Sequence, residues 1–280
     1  MRMENYLSGI DLGKRILEIG PLANPVLQKN EADVWYADIL STQEVKALYQ
    51  NDASVDKEAI CEIDFVIRTS YTETCTNVAK FEYILSSHVL EHMPRLIEFF
   101  QDTVSILSTR GKMYIFLPDS RYCFDHFRNP TSFAEIYYIH TQGLAFAPWQ
   151  VLDSSNMAVP LNDPKVFCAN KRNFPLLAQR QPFSRAKNNF EKALAGEYLP
   201  SHYSVFTPAS FLLLLHEMTR AGVLPYKLIT FFPTRKNDFT FGLVLEACPE
   251  LSNSVELSNQ EMVRLRREMV RLVDYEEASK

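Results

Sequence analysis

The chain has 280 residues, of which 46% are hydrophobic and 22% are charged, and its formal net charge is -5. This composition is typical of a folded globular protein, and the acidic balance argues against a nucleic-acid partner, whose phosphates require a surplus of lysine and arginine. The five cysteines are widely spaced and form no C-x-x-C pair, which argues against a disulfide framework or a cysteine zinc site and favours a cytoplasmic protein. No apolar run approaches the roughly 18 residues of a membrane span, and the start of the chain has no long apolar segment typical of a secretory signal.

The first part of the chain predicts five units of strand followed by helix. Strands are predicted at 15–20, 33–40, 62–67, 81–87 and 111–119. Ser41 followed by Glu44 forms a capping box that starts a helix, and 95–107 has amphipathic helical spacing. This alternation predicts an α/β domain with a mostly parallel sheet.

The second part begins with a segment that breaks this alternation. Residues 143–200 contain six prolines and little periodicity, which predicts an insertion that acts as a lid or a binding loop. Thr207 and Pro208 then predict the start of a helix that runs to Met218. Two strands at 226–233 and 238–247 are joined by a short polar turn and predict a hairpin at the sheet edge.

The last residues carry a short heptad pattern. Met262, Leu265, Met269 and Leu272 follow 3-4-3 spacing over about two heptads. This pattern is compatible with a surface helix docked on its own domain or with a homodimer contact. The predicted organisation is a domain over 1–250, with the insertion at 143–200, followed by a C-terminal helix over 251–280 as a possible oligomerisation segment.

Four polar elements follow predicted strands. The stretch "RILEIGPLANP" (15–25) ends the first strand with Glu18, Gly20 and Pro21, and Asp38 ends the second. The stretch "SSHVLEHM" (86–93), with Ser87 and His88, follows the fourth strand, and "LPDSRY" (117–122) follows the fifth. Ligands of open α/β sheets bind beyond the carboxyl ends of the strands, so these elements predict one ligand site.

Together these elements resemble the class I S-adenosylmethionine-dependent methyltransferases over residues 12–128, with 207–247 as the corresponding family ending. The "VLEH" element and the "PDxRYxFDxxRxxT" pattern resemble a bacterial branch of that superfamily that is associated with polysaccharide biosynthesis. The resemblance implies a doubly wound, mostly parallel seven-stranded sheet with a terminal antiparallel hairpin. It also implies S-adenosyl-L-methionine as the cofactor and O-methylation of a sugar or glycan-linked acceptor.

The chemistry of this cofactor suits the loop after the first strand. S-adenosylmethionine has no phosphate, so it needs no glycine-rich cradle, and the single Gly20 allows a close backbone approach. We expect Glu18 to face the ammonium group, directly or through water, and Asp38 to accept from the ribose hydroxyls. Pro21, Ser87 and His88 complete the predicted cofactor contacts. The sequence departs from the family at the other glycines of the loop and at Arg68, which stands where many members have an acidic residue near the adenine.

An alcohol acceptor must lose a proton during methyl transfer, and histidine is the side chain best suited to accept it. The candidates are His140, His202 and His126, with Asp119 as a further catalytic candidate, whereas His92 is predicted to pack or cap a helix. Arg121 and Tyr122 are predicted to bind the acceptor, Arg121 by bidentate contact with an anionic group. No group of His, Asp and Glu has the sequence spacing of a metal site, so no metal is predicted.

Two other functions stay open at this point. One is N- or carboxyl-methylation of a small metabolite. The other is a catalytically inactive binding or scaffold subunit that keeps the methyltransferase fold, which the glycine-poor loop and Arg68 leave open.

Overall fold

A single sheet with helices packed on it organises the chain. The computed structural model describes residues 7, 9–159, 181–236 and 238–278. The strands are β1 (Ile16–Ile19), β2 (Val34–Asp38), β3 (Phe65–Val66), β4 (Phe81–Ser87), β5 (Leu107–Pro118), β6 (Tyr226–Phe232) and β7 (Thr240–Ala247). The helices are α1 (Thr42–Leu48), α2 (Tyr71–Thr74), α3 (Leu96–Ile106), α4 (Phe133–Gln142), α5 (Pro148–Met157), α6 (Phe183–Leu194), α7 (Pro208–Arg220) and α8 (Val255–Ala278). Short 3-10 turns lie at Leu90–His92, Ser120–Tyr122 and Pro249–Asn253.

The sheet has seven strands in the order β3-β2-β1-β4-β5-β7-β6. Strands β1 to β5 pair in parallel, and β7 is antiparallel to both β5 and β6. The predicted fold class is therefore confirmed: a seven-stranded, mostly parallel α/β sheet that ends in an antiparallel hairpin. The strand order reverses between β1 and β4, which is the switch point where open α/β sheets bind their ligands.

The loop between β1 and β2 differs from the predicted strand-helix unit, because within the described residues it contains no helix. Pro21 and Pro25 lack backbone N–H groups, which weakens any helix here. The loop is instead held by Glu18, whose carboxylate accepts from the backbone of Val26 and Leu27. Residues of this loop, with the segment at 61–63, cover one face of the sheet, and α3, α7 and α8 cover the other.

Local helix signals in the sequence are found where they were predicted. Ser41 and Glu44 form the predicted capping box, in which the Glu44 carboxylate accepts from the Ser41 N–H at 2.7 Å. Thr207 caps α7, with Pro208 at its first position, and this helix ends at Arg220 rather than at Met218.

The insertion is more regular than its composition predicts. Within its described part, α5 and α6 pack together around Val151, Ala193 and Tyr203, and Asn189 donates to the Ser155 hydroxyl at 3.0 Å. The sequence pattern predicted neither of these two helices. Their prolines lie at the starts, where proline is tolerated, and not in the interiors. Residues 160–180 of the predicted insertion, with Cys168, lie outside the described residues.

Helix α8 docks on its own domain. Leu265 and Leu272 of the heptad pattern are buried against the core, and the Glu261 carboxylate accepts from the Leu228 N–H at 2.7 Å. The predicted apolar seam is therefore used within the chain, and the homodimer stays a prediction. In the part of the chain that the structure describes, none of the helices combines the length and apolarity needed to cross a membrane.

Candidate functional site

Two adjoining cavities lie beyond the carboxyl ends of β1, β2 and β4. Their volumes are about 210 Å³ and about 810 Å³. The smaller one is lined by Gly20, Asp38 and His88, among others. Both are lined by Ile39, Tyr71, His92, Met93 and Tyr198. The site predicted from the strand ends thus corresponds to a real cavity at the switch point of the sheet.

Gly20 is required by the backbone at the edge of the smaller cavity. Its φ is +65°, a backbone conformation that residues with a side chain rarely adopt. A Cβ added to Gly20 would lie 2.7 Å from Cγ2 of Val89. Any larger residue would push the β1 loop away from the segment that follows β4. The single glycine of the loop is therefore where the two segments meet.

Glu18 has a different task from the predicted one. It is buried and lines neither cavity, and its two oxygens accept from the N–H groups of Val26 at 2.6 Å and Leu27 at 3.1 Å. Burial raises the pKa of the carboxyl to about 7, although the two backbone hydrogen bonds oppose the shift. This geometry points away from a contact between Glu18 and the cofactor ammonium, because both oxygens are turned to the loop.

The other predicted cofactor residues divide into two groups. Asp38 lines the smaller cavity, its Oδ1 accepts from the Leu40 N–H at 2.9 Å, and burial raises its pKa. His88 lines the same cavity in a left-handed conformation, with φ 55°, and its Nε2 lies 3.2 Å from the Thr240 hydroxyl. Pro21 and Ser87 line neither cavity. Arg68 lines the larger cavity and is paired with Glu44 at 2.5 Å.

The residues after β5 that were predicted to act in catalysis or bind the acceptor instead contact other residues of the protein. Asp119 is fully buried and accepts from Arg121 and from the Thr234 hydroxyl, both at 2.7 Å. The Arg121 guanidinium also pairs with Glu276 of α8 at 2.8 Å and lies over the Tyr122 ring. None of Asp119, Arg121 and Tyr122 lines either cavity. Their contacts fix the loop after β5 against the C-terminal helix.

The three candidate histidines occupy different environments. His140 Nδ1 lies 2.9 Å from the Glu98 carboxylate, and Glu98 lines the larger cavity, so His140 sits behind its rim. His126 Nδ1 lies 2.7 Å from the Arg121 carbonyl oxygen, away from both cavities. His202 is buried, and its Nδ1 lies 2.5 Å from an oxygen of Asp125.

The fold places Glu91, His92 and His202 together, which the sequence did not predict. One potential ligand atom from each lies within 4.8 Å of the others. His92 lines both cavities, and burial lowers its pKa to about 4, while burial raises the pKa of Glu91 to about 7. The signal available in the sequence was the pair Glu91–His92 in an otherwise apolar stretch, but its partner His202 follows much later in the chain.

Below this cluster lies a buried ion-pair network. The Arg128 guanidinium donates to Asp125 at 2.8 Å, to Asp153 at 2.7 Å and to the His202 carbonyl oxygen at 2.9 Å. Asp125 also contacts the His202 ring. Arg128 therefore binds both residues of the Asp125–His202 hydrogen bond. The network therefore orients His202 toward Glu91.

The sequence matches no protein-family model and no curated protein. One solved structure with a similar chain path is a SAM-dependent methyltransferase from Aquifex aeolicus. The two sequences are 8% identical, the match covers 88% of this chain and 89% of that chain, and the TM-score is 0.42. Another is an S-adenosylmethionine-dependent methyltransferase from Mesorhizobium loti, with 12% identity, 87% and 97% covered and a TM-score of 0.42. The trans-methyltransferase CalH in complex with SAH has 12% identity, 87% and 54% covered and a TM-score of 0.40.

This chain spans about half the length of CalH and of the CurJ and DszA carbon methyltransferases, to which it is also similar. TM-scores at this level carry no argument about function, so the fold assignment rests on the strand order and the site on its own geometry.

Proposed function

We propose that the protein is an S-adenosylmethionine-dependent methyltransferase that transfers the methyl group to a hydroxyl of a sugar or glycan-linked acceptor. The observation that carries the proposal is the smaller cavity, where Gly20, Asp38 and His88 meet beyond the ends of β1, β2 and β4. The sheet order supports it, because this order places the cavity at the switch point.

The loop after β1 favours a nucleoside cofactor without phosphates. In dinucleotide-binding folds the pyrophosphate is bound at the start of a helix that follows β1. Here the described loop between β1 and β2 has no helix, and Pro21 follows Gly20 directly. The loop therefore has neither the helix N-terminus nor the glycine-rich backbone that a pyrophosphate needs.

Asp38 supplies the polar contact that a ribose needs. Its carboxylate lines the smaller cavity at the end of β2, and a carboxylate at this position accepts hydrogen bonds from ribose hydroxyls. Ile39 and Tyr71 border both cavities, so an adenine that extends from the ribose toward the larger cavity meets apolar surface. We assign the cofactor to Gly20, Asp38 and His88 on this basis.

The transfer itself places three demands on the protein. The acceptor hydroxyl must lose its proton, its oxygen must align with the methyl carbon, and the carbon–sulfur bond must break with its electron pair left on sulfur. We assign the activation of the acceptor hydroxyl to the cluster of Glu91, His92 and His202, because His92 reaches both cavities. His140, His126 and Asp119 rank below it, since none of them lines a cavity.

The larger cavity suits a sugar acceptor. Tyr71, Phe99, Phe146, Tyr198 and Tyr203 line it, and aromatic rings pack well against the apolar faces of sugar rings. The "VLEH" element and the pattern after β5, which resemble the polysaccharide-associated branch, agree with this assignment. The acceptor class therefore rests on the aromatic lining and on that resemblance.

Titration calorimetry with S-adenosylmethionine, with its demethylated product and with NAD⁺ tests the cofactor. We expect the first two to bind one per chain and NAD⁺ not to bind. Absence of binding by both S-adenosyl compounds would overturn the proposal. Transfer of a radiolabelled methyl group to a panel of nucleotide sugars and oligosaccharides, with amines and carboxylic acids as comparison, then tests the acceptor. Cofactor binding without transfer to any class would favour the scaffold function.

A further inference from the structure

The cluster of Glu91, His92 and His202 combines two segments that are far apart in the chain. Glu91 and His92 belong to the 3-10 turn that follows β4, and His202 lies between α6 and α7. The Ser204 N–H donates to the Glu91 carbonyl oxygen at 3.0 Å, which fastens the two segments together beside the cluster. The three side chains are thus presented by backbone that is itself hydrogen-bonded across the site.

Both imidazoles are held through Nδ1. His92 Nδ1 lies 3.0 Å from the Ser201 carbonyl oxygen, and His202 Nδ1 lies 2.5 Å from the Asp125 carboxylate. Both partners accept hydrogen bonds, so each Nδ1 carries the proton and donates it. The Nε2 atom of each ring is then left with a lone pair, and such hydrogen bonds to a carbonyl or a carboxylate are the usual support of metal-binding histidines.

Glu91 lies beside these rings with one of its two carboxylate oxygens unpartnered among the described residues. Its side chain is 2% exposed, and Oε2 has no hydrogen-bond partner within the described residues. Oε1 lies 3.9 Å from His202 Nε2 and 3.7 Å from His88 Nδ1, both too long for a hydrogen bond. A buried carboxyl normally has hydrogen-bond or ionic partners, because burying it without them is unfavourable.

The cluster therefore brings a carboxylate with one unpartnered oxygen close to two imidazoles whose Nε2 atoms are available as ligands. We propose that Glu91, His92 and His202 bind one divalent transition-metal ion of the Zn²⁺ class. Two imidazole nitrogens and one carboxylate oxygen are a typical zinc set, whereas Mg²⁺ and Ca²⁺ prefer oxygen ligands throughout. Asp125 and the Ser201 carbonyl group are the residues that position the two rings.

The distances require a modest closure of the site. The ligand atoms lie within 4.8 Å of one another, and a tetrahedral zinc site with bonds of about 2.0 Å needs separations of about 3.3 Å. The proposal therefore requires the side chains of Glu91, His92 and His202 to move closer together when the ion binds. Three protein ligands leave a fourth coordination position, as in catalytic zinc sites, and His92 places that position beside the two cavities.

The role of the ion rests on the proposed function, although its binding does not. An acceptor hydroxyl bound at the fourth position would have a lowered pKa, so its O–H bond breaks at lower pH and the proton leaves to water. The oxygen then forms the bond to the methyl carbon, as described above. The inference thus specifies how the cluster would activate the acceptor.

Metal binding is tested on the full chain without an affinity tag, after treatment with a chelator. Titration with Zn²⁺ by calorimetry should show one site per chain, and titration with Co²⁺ should give the visible absorption bands of a tetrahedral ion. Glu91→Gln and His202→Asn should each weaken binding at least 100-fold, and Asp125→Asn about 10–100-fold, as expected for a positioning residue. His126→Asn, a histidine outside the cluster, should bind like the unmodified protein.

Circular dichroism of each variant shows whether it is folded. If a variant unfolds, X-ray absorption of the zinc-loaded unmodified protein replaces it and should show two imidazole ligands and oxygen. Failure of the unmodified protein to bind either ion, equal binding by the folded variants, or a zinc environment without two imidazoles would overturn the inference.

S-adenosylmethionine binding in the metal-free protein separates the two proposals. Cofactor binding without Zn²⁺ binding overturns only the metal site, and Zn²⁺ binding without cofactor binding overturns only the proposed function.

Discussion

Glu18 at the end of β1 and Glu91 after β4 are the same residue type in nearly the same burial, yet they serve different purposes. Their exposed fractions are 2% and 1%, and burial raises the pKa of both to about 7. Glu18 directs both oxygens to backbone N–H groups of one loop, whereas Oε2 of Glu91 has no partner among the described residues and lies beside two imidazoles. Burial and pKa therefore do not distinguish these two carboxyl groups, but their hydrogen-bond partners do.

The largest effect is expected when Glu91 is replaced and the rate of methyl transfer is measured. Glu91→Gln keeps the shape but removes the charge, and we expect the rate to fall about 10²–10⁴-fold, with cofactor affinity unchanged. The measurement is the initial rate with the acceptor found in the panel. Glu246→Gln is the matched control, because Glu246 is a largely buried glutamate that pairs with Arg110 at the far end of β7. Equal rates for the two variants would place the cluster outside the reaction.

The free energy of unfolding should depend more on Glu18 than on Glu91. Glu18→Ala leaves the N–H groups of Val26 and Leu27 without acceptors, and we expect a loss of about 3 kcal/mol in the free energy of unfolding. Glu91→Gln, measured in the presence of a chelator, should change it by less than about 1 kcal/mol, because Oε2 has no hydrogen bond to lose. Urea denaturation measures both. A larger loss in Glu91→Gln than in Glu18→Ala would contradict the comparison.

Glu18 should make the free energy of unfolding depend on pH. Its pKa in the folded protein is about 7, above the ordinary value of 4.5 for a glutamate, so between these values the folded state binds more protons than the unfolded state. The free energy of unfolding should then fall as the pH rises from about 4.5 to about 7, by at most about 3 kcal/mol. Glu18→Gln should flatten this slope in denaturation curves recorded across that range. An unchanged slope in the variant would show that Glu18 is ionised throughout.

Cofactor affinity tests the β2 end of the smaller cavity. Asp38→Ala leaves ribose hydroxyls unpaired, and we expect a loss of about 1–3 kcal/mol in S-adenosylmethionine binding, measured by calorimetry. Asp52→Ala, an exposed aspartate beyond α1, should bind like the unmodified protein. Unchanged affinity in Asp38→Ala would remove Asp38 from the cofactor site.

The smallest effect is expected at the rim of the larger cavity. His140→Ala loses the contact with Glu98 and the packing on the Tyr137 ring, and we expect the rate of methyl transfer to stay within about threefold of the native rate. A loss of the size expected for Glu91→Gln would instead make His140 the proton acceptor.

The sequence predicted the sheet well because its signals are local. Short buried strands, the Ser41–Glu44 capping box and the Thr207–Pro208 helix start depend on residues a few positions apart. Gly20 and Asp38 were predicted at the cavity for the same reason, since the end of a strand fixes where the next residues lie. The helices α5 and α6 were missed because the prolines in that segment suggested irregular structure, although Pro148 and Pro182 stand at helix starts.

The side-chain chemistry of the site could not be predicted in this way. Nothing in the order of residues shows that the oxygens of Glu18 turn back to its own loop, or that Asp119 is enclosed by Arg121 and Thr234. The cluster depends on the proximity of His202 to Glu91, two residues that are far apart in the sequence. Such pairings are set by tertiary packing, for which a single sequence has no local signal.

The buried Arg128 network has a consequence for the order in which the protein folds. His202 and Asp125 are 77 residues apart, and the Arg128 contact with the His202 carbonyl group spans 74. Contacts of such sequence separation form late, because the chain between them must lose its conformational freedom first. The loop between β1 and β2 needs only neighbouring segments, because Glu18 contacts residues 8 and 9 positions away. We therefore expect this loop to form in a refolding chain before the histidine cluster is assembled.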